Sequence, residues 1–203
     1  MHISDGILST PVLLSGAALT ISGTAIGLKK IDYDRIPQIA ILSAAFFVGS
    51  LIHVPIGPAS VHLILNGLMG IFLGWAAFPA ILVGLLLQSI LFQYGGITSL
   101  GVNCFNMAFP AVICFYLFQS GIKNKNNTIF IFSAFMSGFT AVLIGCVMVA
   151  ISLVFTGEQF RIISRLIILS HLPVMLIEGL INLFCIKFLK SVKPEMLEVV
   201  YAK

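Results

Sequence analysis

Charge is what this sequence has least of. Of its 203 residues, 11 are Lys or Arg and 7 are Asp or Glu, so charged residues make up 9% of the chain, where a soluble domain has about a quarter. This deficit excludes an ordinary soluble enzyme, a disordered chain and a nucleic-acid binder that depends on a dense basic surface. Hydrophobic residues make up 59%, and the mean hydropathy is +1.12. The composition therefore predicts an integral membrane protein that contacts the lipid bilayer.

Cysteine pairs and nucleotide-binding motifs are missing as well. The four cysteines, Cys104, Cys114, Cys146 and Cys185, stand in apolar surroundings without a CxxC spacing or a paired histidine. Neither a zinc site nor a disulfide framework is indicated, and we interpret the four as packing residues. The chain has no P-loop, GxGxxG or HExxH motif. Any energy input must therefore come from an ion gradient or from another subunit.

The N-terminus lacks the features of a secretory signal peptide. It reads Met-His-Ile-Ser-Asp-Gly, with an acidic residue, no basic region and no small-residue cleavage pattern after a short apolar core. We therefore expect the mature chain to begin at Met1. No repeat, low-complexity tract or long linker divides the sequence, which predicts a single membrane domain over residues 1–203. Its parts are an N-terminal tail (1–6), a helical bundle (7–189) and a cytoplasmic tail (190–203).

Apolar stretches of about 17 to 25 residues can cross the hydrocarbon core as helices. The sequence predicts an all-α bundle of about seven such crossings: Ile7 to Leu28, Ile36 to Ile52, Val61 to Phe78, Pro79 to Tyr94, Cys104 to Ser120, Thr128 to Phe155 and Ile162 to Leu189. The third and fourth are short, and only the step at Phe78 and Pro79 separates them. A reading with six crossings merges or half-inserts one of them.

The distribution of basic residues predicts the orientation of the bundle. With seven crossings and the N-terminus outside, nine basic residues are cytoplasmic and two, Arg161 and Arg165, are external. The nine are Lys29, Lys30, Arg35, Lys123, Lys125, Lys187, Lys190, Lys193 and Lys203. This imbalance predicts an external N-terminus and a cytoplasmic C-terminus.

His2 offers a metal chelate that needs no other part of the fold. The Met1 α-amine, the deprotonated amide nitrogen of His2 and its Nδ1 atom can place three nitrogens in one plane around an ion. A fourth nitrogen from another histidine would complete the square-planar set that suits Ni(II), Cu(II) or low-spin Co(II). Because deprotonating the amide is costly, Mg(II), Mn(II) and Zn(II) are disfavoured. The alternative is that His2 is an accidental surface residue.

Two histidines, His62 and His53, compete to be the fourth donor. His62 opens the third predicted crossing, and Asn66 lies one helical turn further on, where it could orient the imidazole. His53 ends the second crossing and could instead line an access path for the ion or hold the proline-rich turn. Each of them can also serve as an ordinary hydrogen-bond partner between helices.

Four more polar residues stand in apolar segments, where each needs a partner or a cavity. Asn103 and Asn106 follow a glycine-rich run, and their amides could fasten the N-terminal tail. Glu178 and His171 are seven residues apart on nearly the same helix face. They could form a proton relay, although we favour a structural bond between helices.

Four ordered segments resemble one known family. They are the start MHISDGIL, the segment IHVPIGPASVHLILNGL (52–68), the run GGITSLGVNCFNMA (95–108) and HLPVMLIEGL (171–180), with a Lys-Pro-Glu tail behind the last. Over essentially the whole chain, the sequence resembles the CbiM/NikM family, the metal-specific membrane components of energy-coupling-factor transporters for cobalt or nickel.

The resemblance implies a seven-helix substrate-capture subunit in the cell membrane of a prokaryote. It implies an Ni(II) or Co(II) site built from the N-terminal amine, the amide and side chain of His2, and one further histidine, which we carry to His62. The loop with Asn103 and Asn106 would close over the metal. The family works with a membrane scaffold subunit, ATPase subunits and often a small accessory membrane protein, and it has a link with cobalamin synthesis.

The leading hypothesis is therefore a transport subunit with no chemistry of its own, carrying Co(II) or Ni(II). The alternatives are a proton-coupled transporter that works alone through Glu178, and an intramembrane enzyme that uses His171 and Glu178 as an acid and base pair.

Overall fold

The computed structural model describes residues 2–56 and 59–198, with side chains for all of these except 53–56, 59–61, 195 and 198. The elements in chain order are α1 (Thr10–Lys29), α2 (Ile36–Gly49), β1 (His53–Ile56), β2 (Ala59–His62), α3 (Asn66–Leu73), α4 (Ala77–Phe92), α5 (Leu100–Ile122), α6 (Asn127–Thr156), α7 (Arg161–Ser170), α8 (Leu172–Val192) and α9 (Glu195–Glu198). Short 3₁₀ turns precede α2, α4 and α7.

Prolines mark the starts of three of these helices. Pro11, Pro37 and Pro173 lie in the first turns of α1, α2 and α8, where a helix has no use for the N–H that proline lacks. The fourth predicted crossing was expected to begin at Pro79, but α4 begins two residues earlier, at Ala77. The outer faces of the helices expose large apolar side chains such as Leu14, which is 67% exposed. Such faces suit lipid rather than water.

Helix α5 lies at the centre of the bundle and contacts α1, α3, α4 and α6. Glycines allow the closest of these approaches, as in many membrane bundles. A Cβ on Gly70 of α3 would overlap the Ala111 carbonyl of α5, and a Cβ on Gly138 of α6 would overlap the backbone of Glu178 in α8. The inner helices are therefore held at distances that larger residues would not permit.

The third predicted crossing is not a continuous helix. Its first part is strand β2, which pairs antiparallel with β1 so that His53 lies opposite His62, and helix begins only at Asn66. Leu65 has a left-handed φ of 53°, and the Glu178 carboxylate accepts hydrogen bonds from the N–H groups of Ile64 and Leu65. Non-helical backbone at membrane depth is tolerated where protein surrounds it and satisfies its polar groups.

The last predicted crossing is interrupted at His171, which separates α7 from α8. Pro173 has no N–H to donate to the carbonyl of Leu169, four residues earlier, so the hydrogen bonds of α7 cannot continue into α8. The single predicted helix is thus replaced by a short α7, whose apolar residues are largely exposed, and the longer α8.

The bundle has two ends. At one end, which we call the histidine end, residues 2–9 lie beside the end of α6, and Ser9 donates a backbone hydrogen bond to Thr156 (3.3 Å). At the other, which we call the basic end, the Lys190 ammonium lies 3.8 Å from the centroid of the Phe130 ring. Helix α6 runs from the basic end, where Phe130 lies, to the histidine end, where Thr156 lies.

Five helical stretches within the described ranges are long and apolar enough to cross a membrane: Thr10–Lys29, Asn66–Phe92, Leu100–Ile122, Asn127–Thr156 and Glu158–Val192. The fold is therefore that of a helical, multi-pass membrane protein, as the composition predicted, with one small β-hairpin added. Helix α2 is apolar but has only 14 residues. The count of seven crossings and the orientation stay predictions.

Candidate metal site

The N-terminal tail is fixed on the bundle at Ile3, the residue after His2. The backbone N–H of Ile3 donates to Asn103 Oδ1 (2.9 Å), and its carbonyl accepts from Asn103 Nδ2 (2.9 Å) and from the Ser99 hydroxyl (2.7 Å). The Ile3 side chain is 4% exposed. The Asn103 amide thus binds the N–H and the carbonyl of the same tail residue, as a neighbouring β-strand would. These bonds fix the position of His2, the residue before Ile3.

Asp5 provides a second attachment for the tail. Its carboxylate accepts hydrogen bonds from the Thr98 hydroxyl and from the backbone N–H groups of Thr98 and Ser99, the latter two at 3.1 Å. Hydrogen bonding by the Thr98 hydroxyl lowers the pKa of the Asp5 carboxyl below its usual range. A Cβ at Gly96 would overlap this carboxylate, so the loop before α5 must come close to the tail.

His2 reaches across the histidine end to the ring of His62. The two ring centroids are 4.6 Å apart, and the ring planes differ by 24°. His2 Nε2 lies 2.8 Å from Oε1 of Gln88, near the end of α4. Gly95, with φ of +75°, faces the His2 ring, and a Cβ there would lie 3.4 Å from its Cδ2 atom. Two imidazoles separated by sixty positions in sequence therefore share one site.

His62 is 2% exposed and lies at the end of β2. Its Nδ1 atom is 2.9 Å from the Leu63 carbonyl oxygen. Because a carbonyl only accepts hydrogen bonds, Nδ1 carries the proton and Nε2 of the neutral ring keeps its lone pair. A histidine with this tautomer can bind a metal through Nε2.

Glu178 and His171 do not form the polar pair that the sequence suggested. The Glu178 carboxylate instead binds the backbone N–H groups of Ile64 and Leu65, the residues that follow the His62 segment. His171 Nδ1 lies 2.8 Å from the Ile167 carbonyl oxygen, in the last turn of the preceding helix α7. No hydrogen bond joins the two side chains in the described part of the chain. A carboxylate that anchors backbone is not placed to relay protons to His171.

Of the three predicted supporting amides, Asn103 alone bonds to the described part of the tail. Asn66 Nδ2 donates to the carbonyls of Met107 (3.2 Å) and Ala141 (3.4 Å) and not to the His62 ring. Asn66 therefore joins α3 to α5 and α6 and does not orient the imidazole. Asn106 Nδ2 donates to the Ser152 hydroxyl (3.2 Å), which likewise joins two helices.

Sequence reasoning missed Gln88, which is fully buried and contacts His2. A polar side chain in an apolar stretch such as α4 is costly unless it has a partner. The same rule indicated that Glu178 needs a partner, and applied to α4 it would have indicated this for Gln88 as well. Ser99, which binds Ile3, had no comparable signal because serine is ordinary in a loop.

Two of the predicted metal residues lie partly or wholly outside the described residues. Met1 is outside them, and for His53 only the backbone position opposite His62 is described. Among the residues that the structure does describe, no cluster of three or more His, Cys, Asp or Glu side chains could hold a metal ion. Any metal site at the histidine end therefore needs donors besides these side chains.

The fold and this site together define a class: a multi-pass membrane protein that brings two imidazoles together at one end of an apolar bundle. A family profile described as "Cobalt uptake substrate-specific transmembrane region" matches residues 2–196. The chain therefore belongs to the CbiM family, the family that its sequence motifs resemble.

Individual relatives agree with this assignment. A Haemophilus influenzae protein named for a proposed role in metal transport is 42% identical over 97% of each chain. The cobalt transport protein CbiM of Clostridium tetani is 31% identical over 98% of this chain and 88% of the relative. The crystal structure of a transition metal transporter superposes with a TM-score of 0.83 at 26% identity, covering 99% of this chain and 98% of that one.

About half of the chain, 53%, is also 40% identical to a third of the fused nickel transport protein NikMN of Rhodobacter capsulatus. The protein is thus a membrane component for cobalt or nickel uptake, and it is a transport protein and not an enzyme. Components of this family belong to larger uptake systems.

Proposed function

We propose that this subunit captures Ni(II) or Co(II) at the histidine end and holds the ion in a plane of four nitrogens. The donors are the Met1 α-amine, the backbone nitrogen and Nδ1 of His2, and Nε2 of His62. The observation that carries the proposal is the 4.6 Å separation of the His2 and His62 ring centroids. It brings the chelating N-terminus to the histidine whose Nε2 has a lone pair.

The attachment of the tail supports this arrangement. Asn103 and Ser99 bind both backbone polar groups of Ile3, and Asp5 binds the loop before α5. With the chain fixed just after His2, the ion need not order a flexible tail when it binds. Such preorganisation raises affinity by reducing the entropy lost on binding.

The donor set determines the class of cargo. Four nitrogens with one deprotonated amide favour ions that accept a square-planar field, which are Ni(II) and low-spin Co(II) among the ions that the relatives transport. His62 is preferred to His53 because the His2 ring stacks on it.

Transport would need further subunits in the same membrane, since the sequence has no P-loop. We propose that the protein works in an energy-coupling-factor complex with a membrane scaffold subunit, ATPase subunits and a small accessory membrane protein. We further propose that it lies in the cell membrane of a prokaryote with the histidine end outside. A proton-coupled transporter acting through Glu178 has less support, because that carboxylate binds backbone N–H groups.

Equilibrium binding of Ni(II) and Co(II) to detergent-purified protein tests the proposal, with the affinity tag at the C-terminus so that Met1 stays free. We expect one tightly bound ion per chain and an absorption spectrum typical of square-planar coordination. The relative affinities for the two ions identify the preferred cargo. Absence of tight binding with a free N-terminus would refute the site.

Two matched changes test the ligands individually. One alanine inserted between Met1 and His2 changes the chelate rings and moves the tail, so we expect tight binding to be lost. Full affinity in that variant would remove the N-terminus from the site. His62→Ala should weaken binding strongly and His53→Ala much less. The reverse order would transfer the fourth ligand to His53.

A further inference from the structure

Gln88 connects His2 to the end of helix α2. On one side its Oε1 atom is 2.8 Å from His2 Nε2. On the other side its Nε2 atom donates to the Ser50 hydroxyl oxygen and lies 3.5 Å from the Phe47 carbonyl oxygen. The Ser50 hydroxyl itself donates to that same carbonyl (2.8 Å). Gln88 and Ser50 are both fully buried, so water does not compete for these bonds.

The Phe47 carbonyl determines which way round the Gln88 amide lies. A side-chain amide can turn over, which exchanges its oxygen and its NH₂ group. The Phe47 carbonyl only accepts, and it lies in the last turn of α2, where helix carbonyls need donors from outside the helix. If the Gln88 oxygen faced Ser50, that hydroxyl would have to leave Phe47, and the amide oxygen would face an acceptor. The NH₂ group therefore points to Ser50, and the oxygen points to His2.

The direction of the amide determines the tautomer of His2. An amide oxygen can only accept, so His2 must donate to it from a protonated Nε2. The neutral ring then keeps its lone pair on Nδ1, the atom that can form a chelate with the backbone nitrogen of the same residue. The opposite amide orientation would favour the other tautomer and place a proton on Nδ1.

We infer that Gln88 is a positioning residue that, oriented by Ser50 and the Phe47 carbonyl, holds metal-free His2 with its proton on Nε2. The inference rests on the proposed function, because it explains how Nδ1 is prepared to bind Ni(II) or Co(II). A partner that fixes the tautomer of a metal-binding histidine commonly changes affinity 10- to 100-fold when it is removed. Gln88 is such a partner, supplied by a helix that contributes no proposed ligand.

Nitrogen-15 NMR of histidine-labelled protein without metal reads the tautomer directly, with His2→Ala to assign the signal. We expect wild-type His2 to carry its proton on Nε2. In Gln88→Met, which has a similar shape and no amide, we expect a mixture of tautomers and about 10- to 100-fold weaker Ni(II) binding. Ser50→Ala leaves only Phe47 to orient the amide and should give a smaller change in both. An unchanged His171 signal shows that the variants are folded.

Ser89→Ala is the matched control, because Ser89 neighbours Gln88 in α4 but its hydroxyl donates to the Leu86 carbonyl within the same helix. It should leave both the tautomer and the affinity unchanged. A wild-type His2 protonated on Nδ1, or a Gln88→Met variant with wild-type tautomer and affinity, would overturn the inference. Since the tautomer is read without metal, failure of wild-type protein to bind Ni(II) would count against the proposed function alone.

Discussion

Single polar side chains position the tail at the histidine end. The tail has little apolar surface to bury besides Ile3, so hydrogen bonds must fix it. Asn103 supplies both a donor and an acceptor to one residue of the tail. Such a two-sided contact specifies register, because a shift by one residue would lose both bonds at once. At this scale, the location of the proposed metal site depends on an amide that need not touch the ion.

Replacing Asn103 by leucine should release the tail. Leucine has nearly the same shape but leaves the Ile3 N–H without its acceptor, so we expect at least about tenfold weaker Ni(II) binding, by analogy with other supporting residues. Isothermal titration measures the change. Asn106→Leu is the control, since that amide binds Ser152 and not the tail. Equal losses in the two variants would show that the effect is a general loss of packing.

The stability that Asp5 contributes by attaching the tail to the loop before α5 depends on pH. The folded pKa of Asp5 is lowered, chiefly by the Thr98 hydroxyl. Its stabilising contribution is therefore full above the usual carboxyl pKa and is lost as the pH falls through the lowered, folded value. We expect the metal-free Asp5→Asn variant to have a slightly lower Tm than wild type at neutral pH, and the difference to vanish at acidic pH. Asp34→Asn, exposed at the basic end, is the control. A Tm difference that grew on acidification would contradict this sign.

At the scale of elements, the sequence predicted best where a long apolar run coincides with a single helix. Helices α1, α5 and α6 lie close to their predicted spans. The third and seventh predicted crossings are not single helices. Hydropathy measures the apolar composition of a segment and does not show whether its helix is continuous. The first part of the third crossing is instead strand β2, paired with β1, and the buried Glu178 carboxylate accepts hydrogen bonds from the backbone that follows it. Pro173 lies at the interruption of the seventh crossing, in the first turn of α8.

The site was predictable to the same degree. The capacity of His2 to form a chelate follows from its position in the chain, so the sequence alone could propose it, and it stays a prediction. The contacts of Gln88 with His2 and of Ser99 with Ile3 depend on how α4 and the loop before α5 pack against the tail. No local sequence pattern predicts that packing. The shared helix face and the partner predicted for Asn66 were both wrong, because His62 lies in β2, α3 begins only at Asn66, and the amide binds the carbonyls of Met107 and Ala141.

Glu178 should stabilise the His62 segment as a structural anchor. In Glu178→Ala the N–H groups of Ile64 and Leu65 lose their acceptor, at a cost of about 1–3 kcal/mol for each buried group left unpaired. We expect a clearly lower Tm in detergent and weaker Ni(II) binding, with a smaller effect in Glu178→Gln, which retains one acceptor oxygen. Glu158→Ala is the control, because its side chain is 77% exposed and pairs with Arg161, another exposed residue. A Glu178→Ala variant with wild-type Tm would refute the anchor.

At the scale of the whole molecule, the two ends differ in charge as well as in chemistry. Of the eleven basic residues, Arg161 and Arg165 lie on α7 at the histidine end. Eight of the others lie at the basic end: Lys29, Lys30, Arg35, Lys123, Lys125, Lys187, Lys190 and Lys193. Lys203 is outside the described residues. Basic loops are retained in the cytoplasm, so the fold and the charges together predict capture of the ion on the external side.

Single cysteines test this orientation in intact cells. Gln159→Cys places an exposed thiol at the histidine end, and Ser191→Cys places one at the basic end. A membrane-impermeant maleimide should label Gln159→Cys in intact spheroplasts but Ser191→Cys only after the membrane is permeabilised. The unsubstituted protein gives the background, which should be low because three of its four cysteines are buried. The opposite labelling pattern would place the histidines inside the cell, and the bundle would then have to release metal where we propose that it captures it.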